Sequence, residues 1–151
     1  MLYYHLMETL RKNEYLLTRD LVGEIRQTPE ASHYHALIEG TLYDRIHEVI
    51  YHTYKRHADW MESETSKNTL ASYYADLGRQ RREEGIPLDE VIVTLFLIKK
   101  RVYRCINERM DLEASYTQKE ITDLFLNVGL FFDRMVQAVI SGYEESTASR
   151  A

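Results

Sequence analysis

Gly78-Arg79-Gln80-Arg81-Arg82-Glu83-Glu84-Gly85-Ile86-Pro87-Leu88-Asp89-Glu90-Val91 ends one helix and begins another within three residues. Gly85 supplies the positive φ that a residue just past a helix end adopts. Pro87 has no N–H to lose and a φ already near the helical value, so it suits the first turn of the next helix. The stretch predicts a tight helix–helix corner, and no catalytic group sits beside it.

Downstream of the corner, Leu88, Val91, Leu95, Ile98, Val102 and Cys105 recur at steps of three and four, predicting a helix from about Pro87 to Met110. Ile92, Phe96 and Ile106 widen its apolar face. Asp89 and Glu90 open it while Lys99, Lys100, Arg101 and Arg104 crowd its second half, the order the helix dipole favours. That basic group reads more simply as a solvated face than as an anion or nucleic-acid site. Upstream, Leu70, Tyr73, Tyr74 and Leu77 predict a helix over Thr69–Glu84, preceded by a loop at Glu62–Asn68 where the apolar period lapses.

Further out, Leu6, Leu10, Leu17, Leu21 and Ile25 predict a first helix over Leu2–Gln27. Thr28-Pro29-Glu30 then reads as an N-cap, a proline and an acid opening a second helix that runs to about Met61. After a connection through Leu112 to Tyr116, Thr117-Gln118-Lys119-Glu120 matches a capping box and starts a fifth helix reaching at least Ile140, with Gly142 as a stop signal. The expected fold is all-α, about five helices in an antiparallel or globin-like bundle, forming a single domain over residues 1–151.

Composition agrees. Only 6 Gly and 2 Pro interrupt the chain, so breakers are rare. A net charge of −5 argues against gripping nucleic acid, which needs uncompensated Lys and Arg. The uncharged run Leu124–Phe132 falls well short of the roughly 20 residues needed to cross a bilayer, so no membrane span is expected. Met1 to Leu10 lacks a secretory leader's pattern, and one cysteine, Cys105, allows no internal disulfide; both fit a cytoplasmic protein.

The fifth helix bears most on function. Ile121, Phe125, Val128, Phe132, Met135 and Val139 form one seam, while Leu124, Leu126, Leu130 and Phe131 spread onto other faces. One core needs about a third of a helix surface, so the excess predicts a central helix or one that also meets a second copy of the chain. Phe125, Phe131, Phe132, Met135 and Val139 are the residues assigned to that dimer and signal helix.

Few residues suggest chemistry. Histidines and tyrosines collect in the second helix, where Ile38, Leu42, Ile46, Val49 and Ile50 define an inward arc that also holds His35, Glu39 and His57. His35 or His57 is thus the candidate haem or small-molecule ligand, and His35 and Glu39 are a candidate pair one turn apart. Bundle metal sites combine Glu-x-x-His pairs, and none occurs here, so no metal is expected and core or surface histidines are the simpler reading. The chain has no glycine-rich phosphate cradle, no His-Glu-x-x-His and no nucleophile elbow, and Cys105 lies on an apolar seam. Arg79 and Arg82 are open to three readings: they close the last carbonyls of their own helix, they pair with Glu83 or an acid of the next helix, or they hold an anion or a partner carboxylate.

Leu77-Gly78-Arg79 with Arg82 through Val91, followed by an apolar helix containing Arg101 and a long amphipathic helix, resembles the RsbRD-type amino-terminal domain of stressosome co-antagonists. The resemblance covers about Leu21 to Ile106. It implies a non-enzymatic helical input module that pairs with its own copy and passes a signal along its outgoing helix to an effector domain or regulatory partner. It also implies a globin-like arrangement without haem. Nothing after Ala151 has room for an effector domain, and Glu144 and Glu145 at an expected helix C-terminus suggest a helix that continues.

Overall fold

The computed structural model describes the backbone of residues 2–62 and 64–148 and the side chains of 2–55 and 67–145. The elements are α1 (Leu2–Arg26), a 3₁₀ segment (Pro29–Ala36), α2 (Glu39–Glu62), α3 (Glu64–Glu83), α4 (Leu88–Arg109), the short α5 (Leu112–Ser115) and α6 (Gln118–Ala148). No strand occurs among the described residues, and the fold is all-α, as expected. The expected fifth helix is α6. α1 packs on α2 and α4, while α3 lies along α6. Leu10, Leu21, Leu42, Ile50, Tyr74, Ile98, Ile106, Phe131 and Phe132 fill the interior, each under 2 % exposed.

Two local expectations are corrected. The second helix does not begin at Thr28. That residue has extended backbone and makes no capping bond, and its hydroxyl donates to the Glu24 carbonyl at 2.7 Å. The next residues wind as a 3₁₀ segment because Ala31, Tyr34 and Leu37, spaced by three, are the ones turned toward the core. Arg26 holds that segment by donating to the carbonyls of His35 and Leu37 at 3.1 and 2.9 Å. As a result Ile38, assigned to the inward arc, is 78 % exposed, and the buried seam begins at Leu42.

Glu62–Asn68 is not a loop: α2 includes Glu62 and α3 already includes Glu64. A lapse in apolar spacing does not stop a helix when no glycine or proline is present. Of the two readings of the last helix, the one in which it continues holds: α6 runs through Gly142 to Ala148. The capping box that starts it is formed, with Thr117 N–H donating to Glu120 at 3.0 Å and Glu120 N–H to the Thr117 hydroxyl at 3.2 Å.

Gly142 and Gly78 are places where two helix backbones touch. A Cβ on Gly142 would sit 2.7 Å from the Ala75 Cα and overlap that residue's carbonyl. One on Gly78 would sit 2.9 Å from the Tyr143 nitrogen and overlap the Val139 carbonyl oxygen. Leu70, Ala71 and Tyr74 lie beside Arg134, Met135 and Ala138, Ala75 meets Gly142, and Arg79 reaches Glu145, so α3 and α6 run parallel. By length and composition alone, Gln118–Glu145 is apolar enough to cross a membrane, with a mean hydropathy of 1.4. The nine-residue uncharged run understated this, because the few charges on α6 are spread along it. Phe131, Phe132, Met135 and Val139, all buried in the bundle, account for much of that apolarity.

Gly142→Ala should destabilise the protein by about 1–3 kcal/mol, since no side chain, only backbone, stands in the way. Gly23→Ala, in open space on α1, should stabilise it by about 0.5–1 kcal/mol. Urea unfolding curves for both variants, at unchanged slope, check the opposite signs.

Candidate functional site

The corner closes as a Schellman motif. Gly85 has φ 78°, its N–H donates to the Arg82 carbonyl at 3.0 Å, and the Ile86 N–H reaches back to the Arg81 carbonyl at 3.0 Å. Ile86 is buried, the apolar contact that accompanies such a cap. Pro87 stands one position earlier than expected. It is the N-cap of α4, with extended ψ, and its carbonyl accepts from the amides of Glu90 and Val91 at 3.1 and 3.2 Å.

The end of α6 is bonded to this corner. The Tyr143 hydroxyl donates to the Ile86 carbonyl at 2.8 Å, between the cap glycine and the N-cap proline. Arg82 stands over the Tyr143 ring, 5.2 Å from its centre, a cation–π contact. Arg79 pairs with Asp76 in its own helix and with Glu145 of α6 at 2.7 Å. The two arginines therefore serve helix–helix attachment, and Glu145 has a partner at the end of α6.

The other flank of the corner is tied to α2 and to the 3₁₀ segment. Glu84 bridges Arg45 at 2.6 Å and Arg81 at 2.8 Å. Burial works against its charge, yet the two guanidiniums outweigh it, and its carboxyl is held below the ordinary range. Glu90, 6 % exposed, accepts from the His33 amide at 2.8 Å and pairs with the His33 ring. It anchors the 3₁₀ segment to the first turn of α4.

The remaining residues assigned from sequence fall in different places. Phe131, Phe132, Met135 and Val139 are 0–2 % exposed and Phe125 is half-buried, so these side chains pack inside their own subunit. The apolar surface that α6 leaves outside belongs to Leu126 and Leu130, 61 % and 50 % exposed, one turn apart. Alongside, Tyr103 of α4 bonds the Phe125 carbonyl at 3.1 Å and Lys99 lies 3.8 Å from Asp133, which sets α4 antiparallel to α6. Phe96, one turn from Lys99 and Lys100, is 52 % exposed on that α4 flank.

His35 and Glu39 are not the one-turn pair expected, because the helix breaks between them. His35 Nε2 donates to the Ile25 carbonyl at 2.6 Å, closing the end of α1, and Glu39 is exposed at the start of α2. The His57 side chain lies outside the described residues. Among the described residues no group of three His, Cys, Asp or Glu side chains is placed to hold a metal ion. Cys105 is buried, and burial pushes its thiol pKa up, away from the reactive thiolate.

Tyr143 is the contact at the corner that sequence reasoning missed. Its only signal was an aromatic residue next to a glycine near the end of an amphipathic helix. The corner and its surroundings carry the family's pattern: the family model of the RsbT co-antagonist protein RsbRD N-terminal domain matches residues 16–151. The chain belongs to that family. No curated protein and no solved structure matches it. The matched span takes in the corner, α6 and Tyr143, so both partners of the bond lie within the RsbRD-type domain, a regulatory domain of the stressosome type.

Because the Glu84 carboxyl is held down in the folded protein, its contribution is full above the ordinary carboxylate pKa. It is lost as the pH falls through the lowered folded value. Thermal melts of wild type and Glu84→Gln should differ at neutral pH, with the variant less stable, and converge in acid.

Proposed function

We propose that this RsbRD-type domain is a non-enzymatic, cytoplasmic input module that pairs with a second copy of itself and relays a signal through α6 to an effector domain or regulatory partner. The observation that carries the reading is the bond from Tyr143 to the Ile86 carbonyl. Whatever shifts the α3–α4 corner also pulls on the last turns of α6. A signal acts by binding one of two corner arrangements more tightly than the other, since only differential affinity shifts such an equilibrium.

The pairing surface is the outward strip of Leu126 and Leu130, because these are large apolar side chains that the subunit leaves in water. It replaces the buried Phe131–Val139 seam, which is unavailable to a partner without opening the core. A haem- or small-molecule-binding role for His35 has less support, because its Nε2 proton is engaged by a backbone carbonyl.

In analytical ultracentrifugation the wild-type chain should sediment as a dimer, and the double variant Leu126→Glu, Leu130→Glu as a monomer with unchanged helical circular dichroism. A monomeric wild type removes the pairing. For the relay, hydrogen exchange at Gly85 and Ile86 should quicken in Tyr143→Phe, which keeps the ring and loses the bond. Unchanged exchange removes the coupling.

A further inference from the structure

Where the 3₁₀ segment meets α2, α3 and α4 there is a cavity of about 20 Å³, room for one water molecule or one monatomic ion. Its walls are largely apolar, but Tyr34, Arg45, Arg81 and Thr94 also line it. Tyr34, Arg81 and Thr94 are 3 %, 7 % and 4 % exposed. The Thr94 hydroxyl donates to the Glu90 carbonyl at 3.0 Å; burial pushes the Tyr34 hydroxyl pKa up, and the nearby Arg81 charge works against that rise. With the Thr94 proton used, the charged donors that face an occupant are guanidinium N–H groups.

Two guanidiniums share one carboxylate here. Arg45 Nη2 and Arg81 Nη1 both go to Glu84, while Arg45 Nη1 is buried with no hydrogen-bond partner. No carboxylate lines the cavity, so an excess positive charge faces a space one ion wide. A cation is repelled there. A water molecule would satisfy the free N–H and leave the charge, whereas an anion answers both.

The geometry points to a small-anion site at this cavity, taking a monatomic halide such as chloride between Arg45 and Arg81. The site differs from the one the sequence suggested, since Arg79 pairs with Glu145 and Arg82 stands over the Tyr143 ring. It stands independently of the pairing and relay proposed above. The occupant fastens α2 to the last turn of α3 and to α4, so its binding stabilises the corner in proportion to its occupancy.

The test is thermal unfolding of the wild-type chain at fixed ionic strength while gluconate, too large for the cavity, is exchanged for chloride or bromide. Wild type should show a saturable rise of several degrees in both halides, and Arg45→Met, which keeps the aliphatic packing, should lose it. Equal melting in gluconate and halide, or an undiminished halide response in Arg45→Met, overturns the site. Should Arg45→Met fail to fold, bromide anomalous diffraction from wild-type crystals decides. A peak between Arg45 and Arg81 supports the site, and an empty or water-filled cavity at saturating bromide overturns it.

Discussion

Backbone-to-backbone contact between α3 and α6 is the constraint on which the rest of the structure depends. Gly78 and Gly142 let the two helices approach until a single added methyl would overlap the facing chain. That approach brings the Tyr143 hydroxyl within 2.8 Å of Ile86 and Glu145 within reach of Arg79. It also seats Phe131, Phe132, Met135 and Val139 in the interior. A helix pair held further apart by ordinary side chains would leave the aromatic hydroxyl short of the corner, and the last turns of α6 would lose their link to it.

Around this contact the polar groups divide by what they join. Glu90 fixes the 3₁₀ segment to α4, Glu84 fixes α2 to the end of α3, and Arg101 reaches Glu24 of α1 at 2.5 Å. Each is a charge-assisted bond between elements distant in sequence, which sets orientation more than it adds stability. The corner is thus held from three directions: by a tyrosine from α6, by an arginine from α2 and by a histidine from the 3₁₀ segment. A junction held in this way suits the relay proposed above.

Much of the fold was legible because it depends on local chemistry. Gly85 before Ile86-Pro87, the Thr117–Glu120 capping box and the α4 seam each specify their structure within a few residues, and each is found as read except that Pro87 caps α4 instead of opening it. The 3₁₀ segment was not legible, because its three-residue period comes from how Ala31, Tyr34 and Leu37 meet the core. An N-cap signature at Thr28 describes an α-helix equally well. The site was legible at the corner and only there. Arg79 and Arg82 lie at the corner, but the residues they meet, Glu145 and Tyr143, are more than sixty residues away in sequence.

By itself, the sequence determined an all-α chain, a Schellman-capped corner at Gly85 and a last helix richer in apolar residues than one stripe requires. These follow from φ preference, capping and period, which act over one or two turns. Only the tertiary structure decided which apolar residues of that helix are hidden, Phe131 and Phe132, and which are offered, Leu126 and Leu130. The same is true of Gly142, which reads as a stop in one dimension and serves as a contact in three. Burial and close approach depend on which elements become neighbours, and helical period alone does not specify a neighbour.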